Sequence, residues 1–369
     1  MHLGPPLRHV RRQLLAGSGL ALAIGLLVAC TGCGADSRLA LQVVDNHLTD
    51  GHGRPIRLLG VNRSGAEYAC IGRHGVFAGP THRRAIAAMV GWHINAVRVP
   101  LNEHCWLGIN GSPVRYSSAR YRAAIRAYVA RLHRAGLYVV LDLHWNAPGE
   151  SPASGQQPMA DLDHAPDFWS SVGRAFKHDP AVAFDLYNEP HDVSWQCWRD
   201  GCVLPQGWRA AGMQALVDAV RSSGARQPII ATGIRWGTDL TSWPEYRPHD
   251  PANQLVAGLH IFDFSFCTSM QCWTTTVTPV ARGVPVVATE LGQRACSAPF
   301  MDRFMSWADS AGVSYLGWSW NPVGCGAPAL IRSWDGQPTA SGEHLRAHLL
   351  SGIAVCDAIS HVIQMTKAC

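Results

Sequence analysis

Two glutamates, Glu189 in AVAFDLYNEP and Glu290 in VPVVATELG, each close a run that is apolar nearly throughout and then turns polar. Such runs read as buried parallel strands. A carboxylate is costly inside a core, so at the C-terminal tip of a strand it is expected to turn toward a solvent-filled cleft. Two carboxylates on one rim can break a glycosidic bond with retention of configuration. One gives a proton to the leaving oxygen while the other attacks the anomeric carbon. Either acid alone would fit an ordinary polar strand end; the Asn188-Glu189-Pro190 context and the repeated strand pattern argue for the pair.

Other strand ends carry residues suited to the same chemistry. Arg98 lies inside the apolar run NAVRVP, where a guanidinium needs an acid, so it is expected to pair with one of the glutamates. His144 in LDLHW could donate to a sugar hydroxyl or be a satisfied core histidine. Asn188, an amide beside an acid, suits a hydrogen bond to a sugar 2-hydroxyl. His260, Trp318 and Trp320 follow on later strands. Of 14 tryptophans, Trp145, Trp236, Trp273, Trp318 and Trp320 fall near strand ends, where an indole face could carry a pyranose ring. Most are expected to pack in the core, Trp318 excepted.

The elements that must hold these groups alternate. Apolar, β-branched runs at 56–62, 95–101, 138–145, 182–189, 228–233, 255–262, 285–290 and 314–320 read as eight strands. Amphipathic stretches at 81–91, 117–136, 206–223 and 299–312 lie between them, several ending in glycine where a helix would stop. Eight such units predict an α/β fold, a closed (β/α)8 TIM barrel, whose reactive groups gather where strands end. A doubly wound open sheet is the alternative, but the first strand lacks the GxGxxG turn of its nucleotide-binding version. Residues 39–57 alternate around Asp50-Gly51-His52-Gly53 and predict a short N-terminal β-hairpin, placed to plug the barrel bottom. With no linker-like stretch after it, residues 38–369 read as one domain, the last stretch a strap over the body.

The net charge of +5, with no dense basic block after the N-terminus, gives no support for nucleic-acid binding. The 18 histidines form no HExxH or similarly spaced zinc set. Arg8, Arg11 and Arg12 precede an apolar stretch from Leu14 to Ala29, the length of a signal-peptide core and short for a membrane span. Residues 1–37 therefore read as an export segment. Leu27-Val28-Ala29-Cys30 resembles a bacterial lipobox, which would lipidate Cys30 and anchor the chain to the membrane; plain secretion after cleavage near Ala35 is the other outcome. Ten of 12 cysteines lie beyond this segment, an even number that suits an oxidising, extracellular location. Their placement suggests Cys70 with Cys105, Cys197 with Cys202, Cys267 with Cys272, Cys296 with Cys325 and Cys356 with Cys369. The 197–202 and 267–272 loops are short and sterically demanding, and other connectivities stay open.

The ordered set GVNRSG, NAVRVP, LDLHW, LYNEP, LHIF, ATELG and GWSWNP, spread over about 300 residues, resembles family 5 glycoside hydrolases of clan A. That resemblance implies a (β/α)8 barrel with Glu189 as acid/base and Glu290 as nucleophile, and matches Arg98, His144, Asn188, His260 and Trp318 to the family's other site residues. It implies a retaining, endo-β-1,4-glucanase-like enzyme acting on oligo- or polysaccharides as a monomer, with no metal or organic cofactor. One departure stands out. The family usually has His-x-Tyr on strand six, with the tyrosine hydroxyl bonded to the nucleophile, whereas this chain has His260-Ile261-Phe262. Loss of that hydroxyl should raise the pKa of Glu290. It also motivates an alternative, a catalytically weak or inactive carbohydrate-binding lipoprotein at the cell surface.

Overall fold

The computed structural model describes residues 39–294 and 297–351. All eight expected strands form: β4 (Leu59–Asn62), β5 (Ala96–Asn102), β6 (Tyr138–Trp145), β7 (Val182–Asp185), β8 (Ile229–Thr232), β9 (Leu255–Phe262), β10 (Val286–Gly292) and β11 (Ser314–Gly317). They pair in parallel and close into one barrel, with β11 returning to β4. Helices Arg83–Val90, Ala119–Arg134, Gly212–Ser222 and Pro299–Ala311 fall within the amphipathic stretches. Each turns an apolar face onto the strands, as in Tyr121, Ile125, Tyr128, Val129 and Leu132 of the second. The result is a (β/α)8 barrel.

Two strands stop short of their expected ends. β7 ends at Asp185 rather than Glu189, and β11 at Gly317 rather than Trp320. In both places the chain leaves the regular ladder and loses strict alternation, which frees the following side chains to turn into the barrel mouth.

The expected N-terminal β-hairpin is present, as part of a three-stranded antiparallel sheet, β1 (Gln42–Val44), β2 (His47–Thr49) and β3 (Pro55–Ile56). The second turn is held by Asp50, whose carboxylate accepts from His52 N at 2.9 Å and Arg54 N at 3.0 Å. The first is a tight turn at Asp45 that the sequence pattern did not single out. Leu41 and Leu48 of this sheet bury against Ala96, Val140, Ala183, Ile230, Val256, Val287 and Leu316, the inward residues of the lower barrel. The barrel is thereby sealed at its N-terminal end, leaving the other end open.

Disulfides Cys70–Cys105, Cys197–Cys202 and Cys267–Cys272 form as expected. Cys325 is disulfide-bonded. Cys296, Cys356, Cys369, the lipidation candidate Cys30 and the export segment lie outside the described residues. Among the described residues no helix is long and apolar enough to cross a membrane.

Candidate active site

Arg98 organises the open end. Its position between Ala96 and Pro100 on β5 points it into the barrel, where its side chain is fully buried. A guanidinium has donors in a fixed planar fork, and here they reach five acceptors. Nε donates to Asp185 at 2.9 Å; Nη1 donates to Glu290 at 2.9 Å and to Asn62 at 3.0 Å. Nη2 donates to Asn188 at 2.8 Å and lies 3.1 Å from Asp142. The expected pairing with a glutamate is therefore present, within a wider cluster. Asp142, Asp185 and Asn62 were not singled out from the sequence. A signal existed for Asp142, which shares strand parity with His144 two residues on.

Burial sets the electrostatics. It pushes Asp142 and Asp185 up to about 7, against the attraction of Arg98. It likewise raises Glu290, with neutralising help from His260 and Arg98 outweighed, and raises Glu189. Desolvation is the largest cause of the rise at Glu290. Among the described residues no hydroxyl donates to Glu290. Both glutamates thus move the same way, and the difference between them lies in their partners: Glu290 holds the guanidinium, whereas Glu189 contacts His260 Nδ1 at 3.0 Å. Desolvation pushes His260 down to about 3, so the imidazole is neutral and adds no positive charge beside Glu189.

The two glutamates share one pocket. A carboxylate oxygen from each and a ring nitrogen of His260 lie within 4.8 Å of one another. The Glu290 side chain is 5% exposed and that of Glu189 21%, so both reach the mouth. Glu290 is aimed inward by a bulge. Val287 already faces the interior, and strict alternation would turn residue 290 outward; instead the register with β9 slips between Ala288 and Glu290, setting Glu290 opposite His260. Glu189 follows the early end of β7, on a loop still tied to the barrel by Asn188 N donating to Leu143 O at 3.1 Å.

His144 turns its Nδ1 to Asp142 Oδ2 at 2.7 Å and stacks on Trp318, ring centroids 5.6 Å apart at 8°. His144, Asn188, Glu189, Glu290 and Trp318 line one cleft of about 580 Å³. Arg98 and His260 lie beneath it. The expected residues are thus brought together. Trp145 is half-buried against Tyr68, whereas Trp273 and Trp320 are buried core residues. The sequence reading missed Phe264, Phe266 and Arg235, which line the opposite wall with Trp236 and Phe262. A second cluster, Glu103, Asp161 and His164, also brings donor atoms within 4.8 Å. There Ala147 N, Asn146 Nδ2 and His164 N already serve three of the four carboxylate oxygens. Burial raises Glu103 well above its ordinary value, with the neighbouring Asp161 adding to the shift, and its Oε1 has no hydrogen-bond partner among the described residues.

Comparison with known proteins agrees with the fold. The family described as Cellulase (glycosyl hydrolase family 5) matches residues 49–324. The chain is 24% identical over 364 residues to a mannan endo-1,4-beta-mannosidase of Streptomyces lividans, covering 94% of this chain and 85% of that one. It is 23% identical to the endoglucanase CelA of the same organism, covering 81% of this chain but only 60% of that protein. Among solved structures, the beta-glucanase SdGluc5_26A from Saccharophagus degradans, in complex with cellotetraose, superimposes with a TM-score of 0.67 at 18% identity, over 87% of this chain and 97% of that one. The catalytic domain of the major endoglucanase from Xanthomonas campestris pv. campestris does so at 0.64 and 20% identity, over 84% of this chain and 99% of that one.

Proposed function

The chain belongs to glycosyl hydrolase family 5 and is a glycosidase, and from that premise we propose that it cleaves β-linked glucosidic bonds with retention, by double displacement. The observation that carries this reading is the approach of the Glu189 and Glu290 carboxylates to within 4.8 Å. That is too close to seat a water on the far face of a sugar, as inversion needs, and close to the roughly 5 Å of retaining enzymes.

Glu290 attacks the anomeric carbon. The guanidinium of Arg98, on Glu290 Oε1, opposes the desolvation that raises this carboxyl and favours its ionised form. Glu189, raised by burial and without a guanidinium, holds the proton and passes it to the leaving oxygen as that bond breaks. The glycosyl–Glu290 ester is then opened by water, which gives a proton to Glu189 and restores both residues. Asn188, fixed on Arg98, is placed to bond the sugar 2-hydroxyl, and Trp318 and His144 hold the ring in the cleft.

The sugars on the glycone side are read as β-1,4-linked glucose, in line with relatives named as an endoglucanase and a probable endo-beta-1,4-glucanase, with mannose as the runner-up from the mannosidase relative. Residues 38–369 are read as one catalytic unit exported by residues 1–37, secreted or anchored through Cys30. The surface-binding alternative rested on Phe262 alone; with both carboxylates facing one cleft it is not favoured. Glu290→Gln should abolish hydrolysis while leaving the fold intact, with wild-type product followed by NMR appearing first as the β-anomer. Undiminished turnover by that variant, or an α-anomeric first product, would sink the proposal.

A further inference from the structure

The wall of the cleft beside Glu189 is built differently from the wall beside Glu290. Its centre is the turn 235–237, fastened to the Glu189 loop: Trp236 N donates to Pro190 O at 2.9 Å, and His260, which contacts Glu189, donates from its own N to Gly237 O at 2.9 Å. Arg235, Trp236 and Gly237 are all in the left-handed region, at φ 57°, 62° and 71°. For the two non-glycine residues this conformation is strained, and the turn holds Trp236 out at 48% exposure. Phe262, Phe264 and Phe266 line the same cleft, Phe264 and Phe266 being 50% and 60% exposed. If Glu189 is the proton donor, this is the leaving-group side.

A pyranose binds an aromatic residue by laying its C–H face on an open ring face. Here each of these rings already carries a stacked neighbour. Phe264 is covered on one side by Phe262, at 5.1 Å and 23°, and by the Arg294 guanidinium at 3.9 Å. Arg235 lies 4.0 Å over Phe266, and His191 stacks on Trp236 at 3.6 Å and 7°. The hydroxyls of this wall each already hold one bond to their own backbone: Ser265 Oγ accepts from Phe262 N at 3.0 Å, and Thr238 Oγ1 donates to Arg235 O at 2.8 Å. Apart from the remaining capacity of these two hydroxyls and the Arg235 guanidinium, the wall is aromatic, and a sugar hydroxyl left unpaired against it is costly to desolvate. The glycone side, with His144, Asn188 and Trp318, is the reverse.

Resting on the assignment of Glu189 as proton donor, we propose that the leaving group this enzyme is shaped for is apolar, an alkyl or aryl aglycone carried on a β-linked sugar, and that Trp236, Phe264 and Phe266 select it. The reaction is ordinary hydrolysis: the C1–O bond breaks, Glu189 protonates the aglycone oxygen, which leaves as an alcohol or phenol, and water supplies the hydroxyl at C1.

The test uses the full-length enzyme and alkyl β-glucosides and β-mannosides from methyl to octyl, whose leaving groups differ little in acidity, with cellotetraose and mannotetraose alongside. Each fully buried methylene is worth about fourfold in kcat/KM. With half that burial, octyl should exceed butyl by at least about tenfold and exceed either tetrasaccharide. Phe264→Ala and Phe266→Ala should flatten the dependence on chain length. A flat series with faster tetrasaccharide cleavage would overturn the proposal and leave the glycosidase reading standing, as would an unaltered slope in both variants. No hydrolysis of any of these substrates would sink both.

Discussion

Replacing Arg98 by lysine keeps a positive charge but removes the planar fork. The wild-type guanidinium touches Asp185, Glu290, Asn62, Asn188 and Asp142 at 2.8–3.1 Å from three nitrogens, at zero exposure. One ammonium has three donors on a single atom and cannot span acceptors that lie on β4, β5's neighbour β6, β7 and β10 at once. At least two charge-assisted bonds are lost, each about 1.5–3 kcal/mol, so stability should fall by about 3–6 kcal/mol. Burial leaves no solvent screening to discount this. At about 2 °C per kcal/mol, the low end because the chain is long, Tm should drop by about 6–12 °C. Asn188 and Glu290 lose their common anchor, and a shift of about 1 Å in either should lower kcat/KM by about a hundredfold. Differential scanning calorimetry and initial rates on one aryl β-glycoside read both effects. A Tm within about 2 °C of wild type together with kcat/KM within about threefold would show that the fork does not organise this site.

Two further outcomes follow from the same geometry. Phe262→Tyr puts a phenol at the cleft wall two residues beyond His260, in register with Gly292 of β10. A hydroxyl donated to ionised Glu290 would lower its raised pKa, so the acidic limb of the kcat/KM–pH profile should move to lower pH by about one unit, equivalent to about 1.4 kcal/mol. A limb that stays put, or moves up, counts against Glu290 as the group that must ionise. Cys70–Cys105 joins residues 35 apart, both fully buried, between the loop after β4 and the segment after β5. Loop-closure entropy predicts that the Cys70→Ala/Cys105→Ala variant loses about 4 kcal/mol, measured by urea unfolding. A loss below about 1 kcal/mol would show that the unfolded chain is already constrained there.

Much of this protein was legible in its residues. Parallel barrel strands are buried on both faces, so each leaves an unbroken apolar signature, and all eight were visible, as were the two acids at strand ends and the lone arginine that had to find a counter-charge. The N-terminal sheet was half legible: the Asp50 turn carries glycines, whereas the Asp45 turn carries no such signal.

What the sequence could not decide is the direction in which side chains point once a strand departs from regular pairing. Glu290 faces the cleft because β10 bulges by one residue, and Asn188 and Glu189 face it because β7 ends at Asp185. A period of two predicts facing only while the ladder is intact, and a bulge is dictated by how neighbouring strands close the barrel. Asp185, Phe264 and Phe266 carried no signal of their own in the sequence. Their roles come from neighbours distant in the chain, which only closure of the barrel brings within a few ångströms.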